Sequence, residues 1–328
     1  MNPLALAGVL GGLLLAFVAS ALLARPLITL LRERGVQTFH WLKRDVDNKL
    51  FYSLHEKKIG TPAMGGLLML GVTTVLAALL FPATETWIFL AALVPLSLLG
   101  FFDDISKALV KAGLRKDDFA ALPKFVAQWA IAFVVAGLLY VFGRHAIGLP
   151  FVGGLDLGLA YVPVAAFVIV LLANAANIAD GLDGLAGGMA VIALSALAAI
   201  LLLRGMPTVA GVTALLVGAT LGFLLFNVHP AKVFMGDVGS MALGAGLAMA
   251  GLFADALVPL GVIAAIFLFE LLSSFVQKIA LRRGKRIFKI APFHHHLEAI
   301  GWPETRITQT FWVLGFVLAF AGMLISLY

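Results

Sequence analysis

Ten apolar runs follow one another along this chain, and that repetition limits its folds more than any single motif does. They lie near 3–24, 62–81, 87–102, 125–142, 160–178, 187–203, 208–226, 241–256, 259–281 and 307–327. In hydrocarbon every backbone N–H and C=O must be satisfied within the chain, so only helices or a closed barrel can cross. A helix needs about 20 apolar residues to span roughly 30 Å. Barrel strands would alternate apolar and polar residues, and these runs do not. The chain therefore reads as all-α, a polytopic integral membrane protein of about ten transmembrane helices. Composition agrees, with 62% hydrophobic and 12% charged residues and a mean hydropathy of +1.06. The first run, "PLALAGVLGGLLLAFVASALLA", has no basic segment ahead of it and exceeds a signal-peptide core, so it reads as a retained helix. The absence of cysteine excludes disulfides, thiolate metal sites and cysteine nucleophiles.

Charge orients the bundle. With ten spans, all of the 23 Lys and Arg except Arg144 and Arg204 fall on one side. The positive-inside rule makes that side cytoplasmic and leaves both termini outside. The whole chain, 1–328, then forms one transmembrane domain. Its polar loops near 25–61, 103–124, 179–187, 227–240 and 282–306 are expected to build the active site. Every polar cluster with chemical potential lies on that face.

Asp103 and Asp104 end the third run in "LLGFFDDISK". At a helix C-terminus the dipole is negative and costs each acid roughly 0.3–1 kcal/mol. Solvated interfacial charges would explain them blandly, but that cost favours metal binding or proton and phosphate chemistry. If the helix runs on, Asp103, Lys107, Lys111 and Arg115 share a face, which suits an anionic, metal-bridged ligand and equally suits ordinary i,i+4 pairing. In "NAANIADGLDGLAGG", Asn174, Asn177, Asp180 and Asp183 recur every three residues as a polar wall at a helix end. A glycine-rich turn with Asp caps is the plain alternative. In "NVHPAKVFMGDVGS", Asp237 or Ser240 could simply cap the next helix, while Phe234 offers a stacking face.

"HEKKIGTPAMGG" places Lys58 within reach of a phosphate, with Thr61 as expected N-cap and Pro62 at N1 of the second span. His294, His295 and His296 would point about 100° apart on a helix, so phosphate contact or one acting alone fits better than a His₃ metal site. Glu270 lies inside the ninth run with Ser273, Ser274 and Gln277 on its side, a functional or helix-bridging acid.

Six pieces, "KIGTPAMGG", "GFFDDISK", "NAANIADGLDGLAGG", "VFMGDVGS", "FELLSSFVQ" and "APFHHHLEAIGWPETRI", occur in the order that the polyprenyl-phosphate N-acetylhexosamine-1-phosphate transferase superfamily shows. The chain resembles its phospho-N-acetylmuramoyl-pentapeptide transferase branch. The resemblance implies transfer from UDP-N-acetylmuramoyl-pentapeptide (UDP-MurNAc-pentapeptide) to undecaprenyl phosphate with Mg²⁺, giving lipid I and UMP. The lipid bilayer is the implied surroundings; no nucleic acid is expected, and a homodimer is left open. It further implies that Asp103, Asp104 and Asp237 are catalytic, with Asp237 a Mg²⁺ ligand beside the other two. Lys58, Lys107, Asn174, Asn177, Asp180, Asp183, Phe234, His294, His295 and His296 then fall at substrate positions. One of the paired aspartates would attack phosphorus or deprotonate the lipid phosphate. The chain departs from the family in its longer first loop, "GVQTFHWLKRDVDNKLFYSLHEKK". The runner-up is a UDP-N-acetylglucosamine:polyprenyl-phosphate transferase. A secondary transporter is the alternative from another class, disfavoured by the lack of an internal repeat.

Overall fold

The computed structural model describes residues 3–35, 56–111 and 121–328. Arg115 and the atypical first loop over 36–55 lie outside them. Twelve helices are described: α1 (Pro3–Glu33), α2 (Gly66–Leu80), α3 (Thr84–Lys111), α4 (Ala121–Val141), α5 (Tyr161–Ala179), α6 (Leu185–Leu203), α7 (Pro207–Asn227), α8 (Gly236–Phe253), α9 (Leu257–Ile263), α10 (Ala265–Arg282), α11 (Phe293–Ala299) and α12 (Glu304–Ile325). A two-stranded antiparallel hairpin, β1 (Ala146–Leu149) with β2 (Gly153–Asp156), follows α4.

Each of the ten runs falls on a helix, with differences in reach. Among the described residues, eight helices are long and apolar enough to cross a membrane. The ninth run is broken: α9 and α10 meet at 72° and count as one span only when taken together. The run near 62–81 yields only the 15 residues of α2, about 22 Å of helix, which is short of a full crossing. Its first residues are not helical. Pro62 accepts from the Phe234 N–H at 2.8 Å, and Gly65 and Gly66 donate to Phe234 and Met235 at 2.8 and 2.9 Å. Thr61 and Pro62 therefore do not start the helix; Gly65 caps it, because the backbone ahead is hydrogen-bonded to 234–235 and turns through a positive φ at Met64.

α8 is the axis of the bundle. Its span is 89% buried, against 22% for α1. The sequence "GDVGSMALGAGLAMAGLF" explains this, because small residues let neighbouring backbones approach closely. A methyl on Gly66 would strike Gly239, one on Gly100 would strike the Asp237 carbonyl, and one on Gly244 would strike the Leu172 carbonyl. Thus α2, α3 and α5 all close on α8, with α6 and α7 around them. α1 and α12 present apolar side chains outward, among them Leu14, Leu22, Phe316 and Phe320.

Candidate active site

Helix direction gathers the polar residues at one end. Lys124, Asp183 and Asp237 stand at the starts of α4, α6 and α8. The far ends of the same helices lead to Arg144, Arg204 and Asp255. There Arg144 pairs with Asp255 at 2.5 Å, and Arg204 donates to the Ala254 carbonyl. The two basic residues that charge counting set apart therefore meet at the opposite end from Lys124, Asp183 and Asp237.

α3 does not stop at Asp103 and Asp104; it continues to Lys111. The acids are inside a helix, so no C-terminal dipole acts on them. The dipole that reaches them is favourable. Asp104 accepts the Val238 N–H at 3.2 Å, in the first turn of α8, where the helix end is positive. Gly236 makes this fit possible: its φ is +72°, and a Cβ there would stand 2.5 Å from Asp104 Oδ2. Asp237 does not cap α8; Met235 holds the cap position and the Asp237 carboxylate points at two lysines. Lys124 reaches Asp103 at 2.9 Å and Asp237 at 2.6 Å. Lys107 reaches the same oxygens at 2.9 and 3.2 Å. The i,i+4 stripe on α3 is thus half of a four-membered charge cluster that spans three helices.

A second cluster adjoins it. Lys58 bridges Asp183 at 2.8 Å and Glu304 at 2.5 Å, and lies 5.8 Å from the centroid of the half-buried Phe234 ring. Asp183 also accepts from the Ala231 N–H at 3.0 Å and faces His229 Nδ1 at 3.1 Å. Asn227 anchors this wall, accepting the Gly184 N–H and donating to the Val233 carbonyl. Burial works against ionisation of Asp183, but the Lys58 ammonium and these donors hold its carboxyl below the ordinary value. Asp180 experiences the reverse. Burial first, then the fields of Asp237, Asp104 and Asp183, push its carboxyl well above the carboxylate range. Asp180 therefore sits between the clusters and senses both.

The histidines divide their work. His294 is fully buried against Glu270, with Nδ1 3.0 Å from Oε2, so Glu270 finds its partner on a neighbouring helix. His295 pairs with Glu298 at 2.6 Å, and burial together with neighbouring His294 depresses its pKa well below the usual histidine value. Both rings abut Gly181, in the loop between Asp180 and Asp183. His296 turns elsewhere, accepting the Lys289 N–H and packing on Phe288 and Phe293. Asn174 and Asn177 separate from the acids that follow them: Asn174 donates to Gln128 on α4 and Asn177 to Ser240 on α8. They fasten α5 to its neighbours, while Asp180 and Asp183 face the polar end.

Lys124, His229, Glu304 and Asn227 escape a sequence reading. Lys124 enters from a different helix, and no spacing links it to Asp103. Glu304, following Pro303, reads as an ordinary acid in a first helical turn. Among the described residues, Asp183, His229 and Glu304 can bring one ligand atom each within 4.8 Å of one another. Asp103, Asp104 and Asp237 also supply carboxylate oxygens, although the three do not converge in this way and the Asp103 and Asp237 oxygens are already paired with Lys107 and Lys124. Oxygen donors of this kind suit a hard divalent cation.

A helical membrane bundle with acids, amines and a stacking ring gathered at one end has the makings of a transferase acting on phosphorylated substrates at the membrane edge. Residues 86–255 match glycosyl transferase family 4. The phospho-N-acetylmuramoyl-pentapeptide-transferase of Anoxybacillus flavithermus is 40% identical over 286 residues, covering 84% of this chain and 86% of that protein. The Bacillus subtilis protein of the same name is 38% identical over 325 residues, covering 96% and 97%. The chain belongs to the phospho-N-acetylmuramoyl-pentapeptide-transferase family, within glycosyl transferase family 4.

Proposed function

We propose that the chain transfers phospho-N-acetylmuramoyl-pentapeptide from its UDP conjugate to undecaprenyl phosphate, at the cytoplasmic face of the bacterial cytoplasmic membrane. The observation that carries this reading is the junction of the two clusters. Asp103, Asp104, Asp237, Lys107 and Lys124 lie beside Lys58, Asp183 and Phe234 at the polar end of an apolar bundle. The names of the relatives agree with it. The charge bias of the loops supports the cytoplasmic assignment and outward termini.

In this reading an oxygen of the lipid phosphate bonds to the sugar-linked phosphorus of the nucleotide conjugate. The bond from that phosphorus to the bridging oxygen breaks, and the electron pair leaves with UMP. Such chemistry needs positioning and charge neutralisation more than covalent help. Phe234 provides a face for the uracil, with Lys58 and Asp183 beside it. Lys107 and Lys124 oppose the charge that develops on the phosphoryl oxygens. Asp103 or Asp104 takes the proton of the lipid phosphate or engages phosphorus directly. Asp237 with Asp103 and Asp104 would hold the Mg²⁺ that the resemblance implies, and the ion would add to the neutralisation of the pyrophosphate.

The test uses purified protein with undecaprenyl phosphate and, in parallel, UDP-MurNAc-pentapeptide or UDP-N-acetylglucosamine, following UMP and lipid product. Product from the first donor, nearly abolished by Asp103→Asn and by Asp237→Asn in protein that still inserts, is expected. Turnover of UDP-N-acetylglucosamine alone would refute the assignment, as would activity surviving both substitutions.

A further inference from the structure

The start of α12 grips one residue of the loop ahead of α6 from both sides. Glu304 and Thr308 are four residues apart and share a face of that helix. Glu304 Oε1 accepts the Asp183 N–H at 2.6 Å, and the Thr308 hydroxyl donates to the Asp183 carbonyl at 3.3 Å. Both backbone polar groups of Asp183 thus end on a helix that begins 121 residues further along the chain. Its carboxylate is fixed from other directions, by the Lys58 ammonium at 2.8 Å and the Ala231 N–H at 3.0 Å. Gly184, the next residue, turns through a φ of +72° and gives its N–H to Asn227.

The same glutamate oxygen takes the Lys58 ammonium at 2.5 Å, and the other lies 3.4 Å from His229 Nδ1. Lys58 is thereby strung between two carboxylates, with its ammonium 5.8 Å from the centre of the Phe234 ring. A lysine stem is long and flexible, so one carboxylate lets it pivot where two do not. Two carboxylates on one ammonium also leave a net negative charge beside the place an anionic donor would occupy. A neutral amide would accept the Asp183 N–H without that charge, so the carboxylate points to the lysine as what Glu304 holds. Glu304 and Thr308 are both largely buried, while His229 is the open member of the group.

We propose that Glu304, with Thr308 one turn on, is a positioning residue for the nucleotide end of the donor: it holds the Lys58 ammonium and the Asp183 carboxylate in one arrangement beside the Phe234 ring. This rests on the transferase reading given above. The glutamate touches no substrate and works through Lys58 and Asp183 alone. Its polar partners are Lys58, Asp183 and His229, not the Asp103–Lys107–Lys124–Asp237 cluster. Its loss therefore weakens the hold on the donor equally before and during transfer, which raises KM and leaves kcat in place.

Glu304→Gln keeps the shape and an acceptor for the Asp183 N–H, but leaves Lys58 with a single carboxylate. The expected result is a rise of about tenfold in KM for UDP-MurNAc-pentapeptide, with kcat and the KM for undecaprenyl phosphate nearly unchanged. UMP carries the nucleotide end alone, so its dissociation constant, read by calorimetry on the full-length protein without turnover, is expected to rise by the same factor. Thr308→Val, similar in shape and uncharged, loosens only the backbone grip on Asp183 and is expected to shift the same two quantities by about threefold. In a Lys58→Met background Glu304→Gln is expected to add nothing to the donor KM, because the lysine it acts through is gone. There it should raise the melting temperature, since an unpaired acid is removed. A lower melting temperature in Glu304→Gln with donor KM and UMP affinity unaltered overturns the proposal, as does an equal change in KM for both substrates or an undiminished effect in the Lys58→Met background. Failure of the transferase reading would look different: wild type would neither turn over the donor nor bind UMP, and the proposal would fall with it.

Discussion

Gly236 gives the sharpest test of how the carboxylates are placed. Gly236→Ala introduces a methyl 2.5 Å from Asp104 Oδ2, whereas ordinary contact begins near 3.4 Å, so the carboxylate must retreat by about 0.9 Å. The methyl cannot move aside, because the Met64 N–H side of the pocket is already only 3.2 Å from the same position. A non-glycine residue at a φ of +72° adds about 1–2 kcal/mol of backbone strain. The Val238 N–H bond to Asp104, already 3.2 Å long, is lost, which costs about another 1–2 kcal/mol for a bond to a charged group. Stability should therefore fall by about 2–4 kcal/mol. A misplacement of roughly 1 Å at a reacting group costs on the order of 10²-fold in rate. The assay is UMP release under saturating donor and lipid, with a melting curve in the same detergent. In an Asp104→Asn background the substitution should retain its stability cost while removing little further activity. Gly236→Ala with a kcat within threefold of wild type would refute the claim that this glycine sets the position of Asp104.

Lys58→Met should raise KM for the nucleotide donor and lower stability by about 3 kcal/mol, since Asp183 and Glu304 would be left facing each other in a largely buried site; donor titration and thermal melts check both parts. Arg144→Met at the far end removes a partly exposed ion pair, so it should cost at most about 1 kcal/mol and leave kcat unchanged. His295 should make the fold acid-sensitive. Its folded pKa lies well below 6.5, so the unfolded chain binds the proton first and stability falls as pH drops below about 6.5. Between pH 7 and 5.5 this amounts to about 1 kcal/mol, measurable by denaturation at the two pH values and diminished in His295→Asn.

The helices were legible because hydrocarbon demands long apolar runs, and each run became a helix except the ninth, which broke into α9 and α10. Their ends were not, because helix α3 runs past Asp103 and Asp104 to Lys111, where polar and apolar residues intermingle and no apolar run marks the end. Asp103 with Lys107 could be read from i,i+4 spacing; Lys124 could not, since its place depends on α4 packing beside α3. Pro62 illustrates the same limit from the other side. Proline followed by small residues is a sound helix start, yet the backbone at 62–66 found better partners in Phe234 and Met235. The polar motif at 174–183 could be recognised but not divided: periodicity shows that four polar groups are near one another, whereas only the neighbours α4 and α8 decide that two of them face inward.

The glycine contacts around the start of α8 also bear on how the chain is made. Val238 and Asp104 are 134 residues apart, so α3 leaves the ribosome and enters the membrane long before its partner exists. During that interval the acid pair has neither the α8 backbone N–H nor the neighbouring Asp237 to fix it. Gly66, Gly100 and Gly236 permit no intermediate spacing, because the backbones either touch or stay apart. Completion of the site should therefore be a late, concerted docking event. A nascent chain halted ahead of α8 would hold its membrane helices and yet lack any functional trace of the finished enzyme.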